Sequence, residues 1–231
     1  MFFNFSFRYF LTNPQNLANE LQSSTIRGFG KRVALVFLVG ILVFGFRSFW
    51  GMNTESLTPL LTTMTANDYT LARFASLLGS MIWSVIYISF HLFGFAYILS
   101  FIIGIPFKQL LPMQLLMTGL LLIEKALVFL VFFMQGAATN VSFLSFGPLA
   151  ATFMDSTFFI FLFNQITLTT MLIIAYQYKF IRKYLDIAQG KRLLWSLIGI
   201  HLLMAIIVAS IGLIPAESLF DSITGGGGGN E

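Results

Sequence analysis

Apolar residues gather in five long blocks: RVALVFLVGILVFGFRSFW (32–50), MIWSVIYISFHLFGFAYILSFII (81–103), LPMQLLMTGLLLIEKALVFLVFFMQ (111–135), TFFIFLFNQITLTTMLIIAYQY (157–178) and LLWSLIGIHLLMAIIVASIGLI (193–214). Each is close to the roughly 20 residues a helix needs to cross a hydrocarbon core of about 30 Å. In lipid each backbone N–H and C=O must find a partner inside the protein. Unbroken apolar runs do so as helices, whereas barrel strands would alternate. The pattern predicts an all-α polytopic membrane protein with five transmembrane helices. Three regions follow: a cytoplasmic or interfacial leader (1–31), a five-helix domain (32–214) and an external flexible tail (215–231) ending in GGGGGNE.

Between the blocks the spacing is also informative. In LTNPQNLANEL, Asn13 can cap a helix with Pro14 at its first position, where a missing N–H costs nothing. Ahead of it, Phe2, Phe3, Phe5, Phe7 and Phe10 suit either the membrane interface, a partner's groove, or an arm tucked against the bundle. After the first block, Leu57, Leu60, Leu61 and Met64 keep helical spacing. Leu71, Phe74, Ala75 and Leu78 repeat it behind a cap at Asn67 or Asp68, so two amphipathic helices are expected, the second leading into span two. The stretch 136–156 is either an outer loop or a shallow re-entrant segment, and the loop is favoured.

Composition agrees with the pattern: 57% of residues are hydrophobic and 10% charged, against about 25% charged in an ordinary soluble domain. Basic residues set the orientation. Arg8, Arg27, Lys31, Arg32, Lys108, Lys179, Arg182, Lys183, Lys191 and Arg192 fall on one side of the five blocks, and Arg47 and Arg73 on the other. By the positive-inside rule the N-terminus is cytoplasmic and the C-terminus outside. The N-terminal stretch lacks the basic start, apolar core and small-residue cleavage site of a removable signal, so the first span is expected to direct its own insertion. Cysteine is absent and histidine occurs twice, which excludes thiolate chemistry and argues against a metal centre.

The candidate chemistry is confined to a few side chains. Glu124 and Lys125 interrupt LLIEKALVF, and an ionisable residue inside a span is a functional-site hypothesis by default. Consecutive on a helix, they point about 100° apart and need partners elsewhere. His91, Asn164, Gln165 and His201 are the candidates from neighbouring spans. The pair could serve as a proton relay, as a polar lock between helices, or as a contact for a partner helix. A proton carrier would need a polar cavity at mid-depth, and the spans show no convincing internal repeat or broken helix. The loop YQYKFIRKYLDIAQGKRLL carries Lys179, Arg182, Lys183, Lys191 and Arg192 among Tyr176, Tyr178, Phe180 and Tyr184. It serves as a topology signal, or faces anionic lipid or an acidic partner, and is too short and membrane-tethered for nucleic acid. HExxH, GxSxG and GxxxxGK[ST] are all missing, so no catalytic residue, metal or cofactor is expected and the chain is read as a non-enzyme.

The leader RYFLTNPQNLANEL, the basic patch, the five-block layout and LFNQITLTTMLIIAYQYKFIRKYLDIAQGKRLLWSLIGIHLL (162–203) together resemble the Yip-domain family, in its compact prokaryotic form. The family's eukaryotic members carry an N-terminal Tyr-Gly-Pro motif that is missing here, and Phe146-Gly147-Pro148 lies elsewhere in the layout, so GTPase binding and vesicle traffic are not carried over. What the resemblance implies is a multi-pass protein of a bacterial cell membrane. It would act as an accessory or assembly subunit beside an ABC-type exporter, with permease, ATPase and a membrane-fusion-type subunit as partners, in protection against a toxic peptide. A proton-coupled carrier using Glu124 and a homo-oligomeric membrane organiser are the competing expectations.

Overall fold

The computed structural model describes residues 2–52, 65–136 and 141–213. Apart from a parallel pairing of β1 (Phe2–Phe3) with β2 (Thr25–Ile26), the described chain is helical: α1 (Phe7–Thr12), α2 (Pro14–Ser23), α3 (Phe29–Trp50), α4 (Ala66–Ser89), α5 (Phe95–Ile103), α6 (Phe107–Gln135), α7 (Gly147–Phe153), α8 (Thr157–Gln165), α9 (Leu168–Ile181) and α10 (Gly190–Ile211). A π-helical turn, Phe90–Gly94, joins α4 to α5 without a break. Four helices are long and apolar enough to cross a membrane: α3, the continuous α4–α5 rod, α6 and α10. Their outward faces are apolar, with Phe101, Met134 and Leu71 largely exposed. That exterior fits a lipid bilayer and a multi-pass protein.

The block at 157–178 departs from expectation, because it is two helices rather than one. Ile166 and Thr167 are extended (φ −92°, ψ 96° and φ −110°, ψ 165°), so α8 stops and α9 restarts two residues later. The local cause is the threonine run ITLTT, whose hydroxyls compete for backbone groups. The backbone groups so released find partners in residues 144–146. Phe146 N donates to Ile166 O and Leu168 N to Leu144 O, both at 3.1 Å, around an antiparallel bridge between Ser145 and Thr167. Residues 141–146 therefore reach into the bundle at the level of the break, and α7 and α8 form a helical hairpin. This is the re-entrant alternative rather than the favoured surface loop. At its base Gly147 allows a close approach to Asn164: a Cβ there would lie 3.0 Å from the Asn164 side chain and 3.1 Å from its Cα.

Elsewhere the corrections are smaller. The second amphipathic stretch is continuous with span two, but its cap is Thr65, which accepts from Asp68 N at 3.3 Å and donates to Asp68 Oδ2 at 2.7 Å. The first, at 57–64, and the tail at 215–231 lie outside the described residues. Pro14 does open α2, yet Asn13 does not cap it: its Nδ2 donates back to Tyr9 O and Thr12 Oγ1. The amide is thereby used to close α1 instead.

The Phe-rich arm is tucked into the bundle. Phe5, Phe10, Leu17 and Ala18 are buried in one cluster with Leu110, Met113, Tyr176 and Phe180. Phe7 lies against Gly119 of α6, where any Cβ would stand 2.7 Å from the ring. Burying such rings stabilises by about 1.5–3 kcal/mol each. Polar ties fix the register: Tyr176 OH donates to Phe10 O (2.7 Å), Tyr184 OH to Ala18 O (3.1 Å) and Arg32 Nη2 to Phe5 O (3.0 Å). Burial pushes the Tyr184 hydroxyl up to about 12, so it keeps the proton that it donates.

Helices α3 and α4 approach closely through Gly40 and Gly45, which face Ile88 and Met81, the small-residue packing that helices in lipid rely on. Arg73 Nη2 then ties the rod to Phe49 O at the end of α3 (2.9 Å). Replacing Gly40 by Leu would drive a side chain into Ile88. The expected loss is about 1–3 kcal/mol, read as a lower Tm in detergent and partly recovered by adding Ile88→Ala. Tyr176→Phe removes only a hydroxyl and should cost about 1 kcal/mol. Faster amide exchange confined to residues 3–23 would report it, with the four long helices unaffected.

Candidate functional site

Helix α6 is the most enclosed of the long helices, with Leu110, Met113, Gln114, Leu116, Thr118 and Glu124 all buried. Glu124 is 3% exposed. It stands eleven residues from Gln135, or about 16 Å below that end of the helix, well inside an apolar layer. Lys125, turned by about 100°, is half-buried on the stripe that carries Gln114, Thr118 and Leu121. As expected, the two neighbours do not pair.

The partner of Glu124 is a residue the sequence reading missed. Thr167 Oγ1 donates to Glu124 Oε2 at 3.0 Å, and Thr167 is the residue at which the α8–α9 path is interrupted. The same hydroxyl accepts from Thr170 N at 3.1 Å, and Thr167 N donates to Thr170 Oγ1 at 3.5 Å, which completes a reciprocal cap on α9; Thr170 Oγ1 also donates to Gln165 O at 3.2 Å. Glu124 therefore faces the amide end of a fourteen-residue helix, where the aligned peptide dipoles favour negative charge. The available signal was ITLTT itself, a threonine cluster inside an apolar block, where capping residues suggest a helix start.

Arg47 from α3, Tyr87 from α4 and Lys125 lie within electrostatic reach of the carboxylate, and His91 of the π-helical turn within reach of Lys125. Tyr87 and His91 pack ring to ring at 4.3 Å. Among the described residues no salt bridge joins Arg47, Lys125 or Glu124, and Arg47 Nε is buried without a hydrogen-bond partner. In the sequence Arg47 counts only toward the charge of one side; its place in the last turn of α3, with Nε buried, joins it to the site.

The other predicted residues lie apart from Glu124. Asn164 Oδ1 accepts from Ser142 N (2.9 Å) and Ser145 Oγ (2.8 Å), so it holds the re-entrant segment in place. Gln165 Nε2 reaches Phe161 O at 3.5 Å within its own helix. His201 Nε2 bonds Gln177 Oε1 at 3.0 Å, and Gln177 Nε2 donates to Gln114 Oε1 at 3.2 Å, a separate polar lock between α10, α9 and α6. His91 connects the two groups electrostatically, through Lys125 on one side and His201 on the other. In the basic loop, Lys179, Lys183, Lys191 and Arg192 are exposed. Arg182 instead turns inward to Tyr178 OH (2.7 Å) and against Gly190. Among the described residues no group of three or more His, Asp or Glu could hold a metal ion.

The class defined so far is a helical multi-pass protein with a buried charge cluster at an interrupted helix. No family model, curated protein or solved structure matches the chain.

Thr167→Val keeps the shape and deletes the hydroxyl. Loss of the cap and of the Glu124 bond should cost about 1–3 kcal/mol, seen as a reduced Tm in detergent, whereas Thr167→Ser should stay within about 1 kcal/mol of the wild type. Equal Tm values for wild type and Thr167→Val would remove Thr167 from the site.

Proposed function

We propose that the protein is a small membrane carrier in which Glu124 takes up and releases a proton. The observation that supports this is the single hydrogen bond from Thr167 to a buried carboxylate at a break in a helix. Interrupted helices whose half-helix ends meet an ionisable group near the middle of a bundle are the arrangement secondary carriers use. In this reading α8 and α9 together make the fifth crossing, the N-terminus is cytoplasmic and the C-terminus outside, in agreement with the placement of Lys and Arg. The reading is non-enzymatic. Glu124 carries the proton, Thr167 orients it, and Arg47, Tyr87 and Lys125 are the charged and titratable groups that set the energy of its two protonation states.

The chemistry follows from charge. Ionised, Glu124 is attracted by Arg47, Lys125 and the α9 terminus and holds the break closed through Thr167. Protonated, it loses that attraction, and the contact between α6 and the α8–α9 break weakens. A proton thereby becomes coupled to the position of the α7–α8 hairpin. In proteoliposomes with an imposed pH gradient, wild-type protein should dissipate the gradient in the presence of its solute, screened from a panel of small solutes. Glu124→Gln should fall to the rate of protein-free liposomes. An unchanged rate in a folded Glu124→Gln variant would overturn the proposal.

A second reading, the accessory subunit of an ABC-type exporter implied by the family resemblance, is favoured by one observation: Lys179, Lys183, Lys191 and Arg192 form an exposed basic patch at one end of the bundle. Such a patch suits an acidic protein surface or anionic headgroups. Stoichiometric co-purification of a permease and its ATPase from native membranes would support it, and recovery of this chain alone would remove it.

A further inference from the structure

The seam between α3 and α4 carries two adjoining cavities, of about 220 and 280 Å³, with Phe49 and Leu77 in the walls of both. They form one groove on an outward face where Leu42, Phe46 and Phe49 are exposed. The deeper part is wholly apolar, lined by Leu42, Phe46 and Met81 with Gly45 between them, where a Cβ would stand 3.2 Å from the Met81 methyl. Toward the last turn of α3 the lining becomes polar, as Tyr69, Thr70 and Arg73 enter it. Arg73 is the one cation in the groove. Its Nη2 donates to Phe49 O at 2.9 Å, which holds the guanidinium at this end, and its remaining N–H groups have no acceptor among the described residues. No described carboxylate lies within salt-bridge distance of it, and Asp68, nearest in sequence, is engaged by the Thr65 hydroxyl at 2.7 Å. Along α4 the groove runs from Arg73 to Met81, about 12 Å of helix, against about 15 Å for half a hydrocarbon core.

We infer that this groove is a binding site for one anionic phospholipid, its phosphate on Arg73 and one acyl chain along Leu42, Phe46 and Met81. Shape and charge both carry the assignment. An apolar trough open to the bilayer takes a chain, and an unneutralised arginine fork where that trough ends matches phosphate oxygens. Basic pockets between spanning helices hold anionic headgroups in the same manner. A lipid so placed touches both helices and bridges them beyond their glycine contacts, so its occupancy stabilises the folded chain by mass action. The site stands on the packing of α3 against α4 and is independent of Glu124 and of the carrier reading.

Lipid retention by the full-length chain tests it. Protein purified and delipidated in detergent is titrated with dioleoyl phosphatidylglycerol or dioleoyl phosphatidylcholine. Bound lipids are counted by native mass spectrometry, and Tm is followed in parallel. The expected result is one saturable phosphatidylglycerol with a rise in Tm, held about fivefold more tightly than phosphatidylcholine, the gain that one basic residue gives at a membrane surface. Arg73→Gln should remove that preference and Arg73→Lys keep most of it. Leu42→Trp fills the groove from an exposed position. It should remove the bound lipid without lowering Tm in lipid-free detergent, which separates loss of the site from loss of the fold. Changing Lys179, Lys183, Lys191 and Arg192 together to Gln should leave the lipid in place. Equal binding of the two lipids overturns the inference, as does unchanged phosphatidylglycerol binding in a folded Leu42→Trp variant, or its loss in the quadruple variant. A response to glycerol 3-phosphate alone overturns it too, since a soluble phosphate would then be the ligand. So does a dimer that Leu42→Trp dissolves, with a second copy in the groove, or lipid binding that emerges only once residues 53–64 are replaced by a Gly-Ser linker of equal length.

Discussion

Every backbone amide and carbonyl that leaves a helix inside an apolar medium must find another partner, and the arrangement of the second half of this protein follows from that requirement. At Ile166 and Thr167 the helical bonds lapse, and residues 144–146 supply replacements through Phe146 N to Ile166 O and Leu168 N to Leu144 O. To deliver them, the chain after α6 has to return into the bundle, and α7 then packs on α8 as a hairpin. Asn164 secures that return by accepting from Ser142 and Ser145. Breaking the helix also makes Thr167 the cap of α9, and the hydroxyl that accepts from Thr170 N donates to Glu124. A continuous helix at 157–178 would have spent Thr167 N on an intrahelical bond and removed the cap geometry in which the Thr167 hydroxyl donates to Glu124.

The N-terminal arm solves the complementary problem at the other end. Its aromatic side chains are too numerous for a solvated leader, and they gain more from burial against α6 and α9 than they lose in chain entropy. Three carbonyls of the arm and α2, those of Phe5, Phe10 and Ala18, are taken up by Arg32, Tyr176 and Tyr184. The arm is thus held by donors that belong to α3, α9 and the turn after α9, so the leader is part of the packed structure.

Charge is distributed with the same economy. The exposed cations Lys179, Lys183, Lys191 and Arg192 sit at one end, where water or headgroups screen them. Arg47 and Lys125, further from the ends, have Glu124 as their one carboxylate among the described residues, in a region of low dielectric where interactions of this kind are least screened. The π-helical turn that carries His91 adds to this contrast, since such turns in otherwise regular helices recur where a side chain must be re-aimed.

The sequence by itself determined the all-helical, membrane-compatible class, the limits of three of the four long helices, α3, α6 and α10, to within a few residues, and the singularity of Glu124 and Lys125. Those properties are local: run length, hydropathy and charge are written along one segment at a time. The continuity of α4 into span two was also legible, although the cap proved to be Thr65. What the tertiary structure decided is which polar residues meet. Glu124 pairs with Thr167 rather than His91, Asn164, Gln165 or His201, and Arg47 turns inward, because forty-odd residues of intervening chain fold back to satisfy a break that hydropathy averages away. An apolar block with four threonines reads as one helix until the groups that replace its lost bonds are known, and those come from a segment whose position no local pattern specifies.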